Sequence, residues 1–168
     1  NRLTNLGMDE HVFLMRTPVS QAGSSEWQES MVKIARPAVP EITPELNEDL
    51  LERVRRLPVV KNELEVDIRM LPNPVQDGRA ERPFFPSVLL VVERDGGTVI
   101  GCEMMAPVPT LATVHRRAAG VLLAMLVKRN LRPEELHVRT AQIASLLRDP
   151  CEKLGIRVTV RPSLPRTE

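Results

Sequence analysis

The chain has no tyrosine, one tryptophan and three phenylalanines, so aromatics make up only 2% of it. That leaves few platforms on which nucleic-acid bases could stack. It also obliges any core to rest on Leu, Val, Ile, Met and Ala. An excess of charge of one sign is missing too. The 23 Lys and Arg nearly match the 22 Asp and Glu, for a net charge of +1. No global field therefore draws in nucleic acid or an anionic membrane. Cys102 and Cys151 are the only cysteines, too few for a disulfide framework or a four-cysteine zinc site, and a reducing, cytoplasmic setting is the expectation. The longest apolar run, VLLAMLV at 121–127, falls far short of the roughly 20 residues that cross a bilayer. No basic stretch followed by an apolar one opens the chain, so neither a signal peptide nor a membrane partner is expected. The phosphate loop G-x-x-x-x-G-K-[ST], the dinucleotide loop G-x-G-x-x-G and the nucleophile elbow G-x-S-x-G are all absent from the 168 residues. No cofactor is expected.

What is present is ample material for one domain: 42% hydrophobic and 27% charged residues. Residues 1–40 read as an arm or linker, and 41–168 as a single α/β domain. Within the arm, HVFLM at 11–15 suggests a strand. SSEWQESMVKIARP suggests a short helix, with Ser25 and Gln28 at capping-box spacing, Trp27, Met31 and Ile34 on one face, and Pro37 and Pro40 ending it. Trp27 is expected to anchor that helix, on its own domain or on a partner or second copy.

The domain begins with a helix over about 44–56, capped by Thr43, with Pro44 first and Leu46, Leu50, Leu51, Val54 and Leu57 on its apolar face. ELEVDIRML, 63–71, alternates as a strand with one wet face. A polar loop follows at 72–83. SVLLVVE, the turn RDGG and TVIGCEMM then read as a hairpin, its first strand buried on both faces and central in its sheet. A long helix is expected at about 111–129, with Gly120 marking close approach to a strand. The strand ELHVR, the helix AQIASLL, an interruption at Pro150 with a new turn capped by Asp149, and the strand IRVTVRP complete the chain. Alternating strands and helices require parallel crossovers, and the meander before them supplies antiparallel strands. The expected architecture is a mixed five-stranded sheet with helices packed on it.

This βββαβαβ order is similar to the ribonuclease H-like fold of nucleases, integrases and transposases. RPEELHVRTAQIASLLRDPCEKLGIRVTV, 132–160, resembles the integrase-core pattern of a strand ending at an acid, a helix, and an LGI entering the next strand. The segment from about 84 to 165 also resembles an uncharacterised bacterial domain family with no assigned activity. The integrase likeness implies three metal-binding carboxylates. Asp67 or Glu93 suits the first. The second should stand where Arg139 and Thr140 are. The third should lie on a helix after the last strand, for which the sequence to Glu168 is too short. A guanidinium at the second position repels a cation, so catalysis by clustered carboxylates is not expected.

Other chemistry is sparse. His11, His115 and His137 lack ligand spacing, though His137 on a strand could reach a neighbouring acid. Glu93, Asp95 and Glu103 around the hairpin read as solvated charges. Cys151, in the first turn of its expected helix, would have a lowered thiol pKa, while Cys102 reads as a small core residue. Met104 and Met105 read as core or as a partner surface. Arg116 and Arg117 near a helix start, and Arg139 at its corner, are candidate contacts for an anion or a partner.

The reading is a non-catalytic α/β binding or structural module, with an unknown protein partner or self-association through the N-terminal arm. The alternative is a degenerate ribonuclease H-like domain that binds nucleic acid without cutting it, through Arg116, Arg117, Lys128, Arg129, Arg132 and Arg139. A small-molecule pocket at the strand ends is a third option.

Overall fold

A computed structural model describes residues 12–21, 24–34, 42–76 and 82–168. The chain divides into two compact units, Asn1–Glu41 and Ile42–Glu168. In the first, β1 (Val12–Gln21) and β2 (Ser24–Lys33) form an antiparallel hairpin, with Trp27 opposite Pro18 and Met31 opposite Leu14. The helix expected over SSEWQESMVKIARP is therefore a strand over Ser24–Lys33. Trp27 and Met31 are four residues apart, a spacing that puts two side chains on one face of a helix and equally of a strand. Ten consecutive cross-strand pairs decide between the periods. The expected stops at Pro37 and Pro40 lie outside the described residues.

The second unit contains α1 (Glu48–Arg55), β3 (Val59–Met70), β4 (Ser87–Glu93), β5 (Val99–Met105), α2 (Leu111–Arg129), β6 (Arg132–Val138), α3 (Ala141–Leu154) and β7 (Arg157–Val160). The strands form one sheet in the order β5-β4-β3-β6-β7. The β5–β4 and β4–β3 pairs are antiparallel; β3–β6 and β6–β7 are parallel. This is the mixed sheet and βββαβαβ order expected, with β3, rather than the more apolar β4, at the centre.

Helix boundaries show where packing overrode propensity. Asn47, not Thr43, caps α1, its Oδ1 accepting from the amides of Asp49 and Leu50 at 2.9 and 3.2 Å. The residues before it are held against α2 instead: the Glu45 amide donates to the Arg116 carbonyl at 2.8 Å. A Cβ at Gly120 would stand 3.6 Å from the Glu45 carbonyl oxygen, an ordinary van der Waals contact, so the close approach to a strand expected there is not found. Pro150 does not break α3, which runs unbroken from Ala141 to Leu154. Proline costs a helix interior about 3 kcal/mol. Burial of Ile143, Ala144, Leu147, Cys151 and Leu154 along one face offsets it.

All three helices lie on one side of the sheet. The helix α2 covers β4 and β5, α3 covers β6 and β7, and α1 touches both helices. Strand alternation sends Leu64, Val66, Leu89, Val91, Leu136 and Val138 into this core, all 0% exposed. The same alternation sends Glu63, Glu65, Asp67 and Arg69 of β3, with Glu135 and His137 of β6, to the opposite face. That face is not simply wet. Glu65, Asp67 and His137 are each at most 2% exposed. The segment after β7 crosses it: Leu164 is buried, the Arg166 amide donates to Glu65 Oε2 at 2.8 Å, and the Arg166 guanidinium donates to the carbonyls of Arg94 and Asp95.

Candidate functional site

A cavity of about 510 Å³ opens at the carboxyl end of β6, lined by Asp67, Ile68, Arg69, His115, Arg139, Thr140, Gln142, Ile143 and Glu168. Residues of β3, α2, the corner after β6, the start of α3 and the segment after β7 build it. Asp67 lies near the end of the central strand, where its Oδ1 accepts from the Ile68 amide at 3.0 Å. Arg139 leaves the end of β6 beside it and donates from Nε to Asp67 Oδ2 at 3.0 Å. Arg69 donates to the same oxygen at 2.6 Å. Thr140 turns the chain into α3 as its N-cap, Oγ1 accepting from the Ile143 amide at 3.2 Å. The segment after β7 returns Glu168, whose Oε1 meets Arg139 Nη1 at 3.2 Å.

Arg139 thus sits between two carboxylates. Its hydrogen bond to Asp67 is the main cause of its raised pKa, and its bond to Glu168 is the main cause of the lowered pKa of that carboxyl. Burial pushes His115 down, which favours the neutral imidazole. Two polar atoms among the lining residues, His115 Nδ1 and Arg139 Nη2, are buried without a hydrogen-bond partner. The lining carries Asp67 and Glu168 against Arg69 and Arg139, so the charges balance.

Of the two candidates for a first acid, Asp67 converges with Arg139 at the corner. Glu93 is elsewhere, its Oε1 accepting from Asn62 Nδ2 at 2.6 Å. His137 shares the face of Asp67, but its Nε2 points to Glu63 and Glu135, at 3.4 and 3.3 Å. Arg116 and Arg117 are exposed on α2, and neither lines the cavity with Arg139. Glu168 was missed. The expectation asked for a helix to deliver a third acid, and here a short turn after Pro165 delivers one. Its sequence signal is Leu164, an apolar residue in a polar tail that is buried at 1% exposure.

Both cysteine readings are corrected. Cys151 lies inside α3 rather than at a helix start, and burial pushes its thiol up to about 12. Cys102 is exposed. It pairs across from Leu90, which puts it on the face away from the helices, while Gly101 takes the helix-facing position. Met105 is buried and Met104 is 58% exposed, so the pair divides between the two faces.

Fold and cavity define a mixed α/β domain of βββαβαβ order, with the Arg139 guanidinium at the corner after β6. The chain belongs to the family described as domain of unknown function DUF6930, which it matches over residues 50–168. No curated protein matches it. Among solved structures it is similar to the Mos1 strand transfer complex, at 18% identity and a TM-score of 0.35, over 74% of this chain and 45% of that one. A pre-cleavage Mos1 transpososome is similar at 15% identity and a TM-score of 0.35, over 80% and 48%. The chain therefore spans less than half the length of these solved chains. Among the described residues, no helix is long and apolar enough to cross a membrane.

Proposed function

We propose that the domain is a non-catalytic binding or structural module that keeps a ribonuclease H-like scaffold without its metal-dependent chemistry. One observation carries the reading: the Arg139 guanidinium pairs with both Asp67 and Glu168, at 3.0 and 3.2 Å. Two-metal phosphoryl transfer holds its cations about 4 Å apart on clustered carboxylates. A fixed positive charge bonded to both acids opposes that arrangement. The test incubates the full chain with single- and double-stranded DNA and RNA in Mg²⁺ or Mn²⁺. No cleavage is expected. Cleavage that disappears in Asp67→Asn would overturn the proposal.

Self-association through residues 1–40 is the partner reading we favour. Both faces of the hairpin carry large apolar side chains, Leu14, Trp27 and Met31 on one and Phe13, Met15 and Val32 on the other. A two-stranded hairpin alone is marginal in water and gains from being covered. Sedimentation of the chain with and without residues 1–40 tests this, and an unchanged mass and stability would remove it.

Nucleic-acid binding without cleavage is a second reading. Arg116 and Arg117 favour it, being exposed near the start of α2, where the helix dipole disfavours cations. The wider basic face has less support. Arg139 is held by carboxylates, Arg129 donates to the Ile100 carbonyl and Arg132 to the Arg55 carbonyl. Binding to oligonucleotides at low salt that weakens in the Arg116→Glu, Arg117→Glu double variant would support this reading; no binding at low salt would end it.

A further inference from the structure

We propose that Glu63, Glu135 and His137 form a binding site for one divalent transition-metal ion, with zinc the cation their chemistry fits best. This site lies on the charged face of the sheet, two to four residues back along the strands from the Asp67–Arg139 cavity, and uses none of its residues.

The first support is convergence. One ligand atom from each side chain lies within 4.8 Å of the other two. The strands impose this. Glu63 and Glu135 are register partners on parallel β3 and β6, and His137 is two residues further on the same face. All three ligands therefore stand on paired strands in the middle of the sheet rather than on loops.

The second support is independent of the acids. His137 is 2% exposed, and its Nε2 is buried with no hydrogen-bond partner. A buried polar atom left unbonded costs about 1–3 kcal/mol. Yet this one is aimed at two carboxylate oxygens, Glu63 Oε2 at 3.4 Å and Glu135 Oε1 at 3.3 Å. Charge-assisted N–H···O bonds close to about 2.7–2.9 Å. Ligands held tetrahedrally at about 2.0–2.1 Å from zinc stand about 3.3–3.4 Å from one another. The two separations from His137 Nε2 match the edge of a zinc tetrahedron and are long for a hydrogen bond.

The carboxylates are themselves held from outside, as metal ligands commonly are. Thr159 Oγ1 donates to Glu135 Oε1 at 2.6 Å, and Arg157 Nε to Glu135 Oε2 at 3.1 Å. Arg94, in the hairpin turn, pairs with Glu63 Oε2. That guanidinium is 44% exposed and Glu63 is 42% exposed, so Arg94 has room to yield its position while water takes the fourth ligand place. An imidazole with two carboxylates suits zinc or another transition ion, whereas magnesium prefers an all-oxygen shell.

The test titrates the full chain, in a Cys102→Ser background that removes the exposed thiol, with Zn²⁺ by calorimetry and with Co²⁺ by visible absorption. One equivalent should bind, cobalt should show the intense bands of a four-coordinate ion, and zinc should raise Tm. Glu135→Gln and His137→Gln should each weaken uptake at least tenfold. The half-exposed Glu63→Gln should do the same without unfolding the domain, and keeps the test valid if a buried variant fails to fold. No saturable uptake by the folded chain would overturn the proposal. Uptake unchanged in folded Glu63→Gln would overturn it equally.

Discussion

Replacing Arg139 by methionine tests whether the ion pair at the end of β6 organises the charged face. Asp67 is 2% exposed and accepts three hydrogen bonds, from the Ile68 amide, Arg69 and Arg139. Removing one partner of a fully buried pair costs about 3–5 kcal/mol. Two facts reduce that here: the Arg139 side chain keeps 28% exposure, and Asp67 retains Arg69. The expected cost is about 2 kcal/mol, between the buried and surface limits. For a domain of this size that is a fall of roughly 7 °C in Tm. Urea unfolding followed by helical circular dichroism is the right assay. The one tryptophan, Trp27, lies in the hairpin unit and would report on the wrong part of the chain. In Arg139→Met combined with Asp67→Asn, the loss should fall short of the sum of the two single losses by at least about 1 kcal/mol. A single-variant loss under about 0.5 kcal/mol, or strict additivity, would refute the argument, because either result would class the pair with ordinary surface contacts.

Three further outcomes follow from the same geometry. Cys102 should react with a disulfide reagent in the native protein and Cys151 only after unfolding, since one thiol is exposed and burial pushes the other up to about 12; two equally fast thiols would contradict the placement of α3. A Cβ at Gly101 would come 2.5 Å from Met125 Sδ, the flexible end of a side chain, so Gly101→Ala should cost about 1–2 kcal/mol by urea unfolding, and less when Met125→Ala is already present. The folded pKa of Glu168 lies below its ordinary value, chiefly through its bond to Arg139, so the unfolded chain binds more protons as pH falls. Docking of the last residues should be complete above the ordinary carboxyl range and weaken as pH drops through the lower folded value. The Arg166 amide, watched by NMR across an acid titration, should lose protection over that range, and an identical profile in Glu168→Gln would rule this contribution out.

Much of the sheet was legible because its signals are local. SVLLVVE, the Asp95-Gly96-Gly97 turn and the long apolar helix each announce themselves within a dozen residues, and α2 spans the expected 111–129. The errors arose where a pattern served two periods or where packing outweighed a local preference. Trp27 and Met31 fit helix and strand alike, and Pro150 sits inside a helix whose buried face holds it. The site was half legible. Arg139 at the corner was readable as a missing acid, and so was the option of Asp67 as its neighbour. The role of Glu168 was not, because nothing local says that a tail without a helix folds back over a sheet. That His137 could reach a neighbouring acid was legible, but that Glu63 joins it was not, because that residue lies on a strand about seventy residues earlier.

The central strand carries its charges on the side that is finished last. As the chain is made, β3, β4 and β5 can pair at once, but one edge of β3 has no partner until β6 appears beyond α2. For that interval the nascent meander shows an open strand edge, the feature that invites pairing with a neighbouring chain. Glu63, Glu65 and Asp67 line alternate positions of that edge strand, and acidic side chains there repel a second copy in the same state. Glu65 and Asp67, which in the finished fold hold the Arg166 amide and Arg139, are two of those three acids.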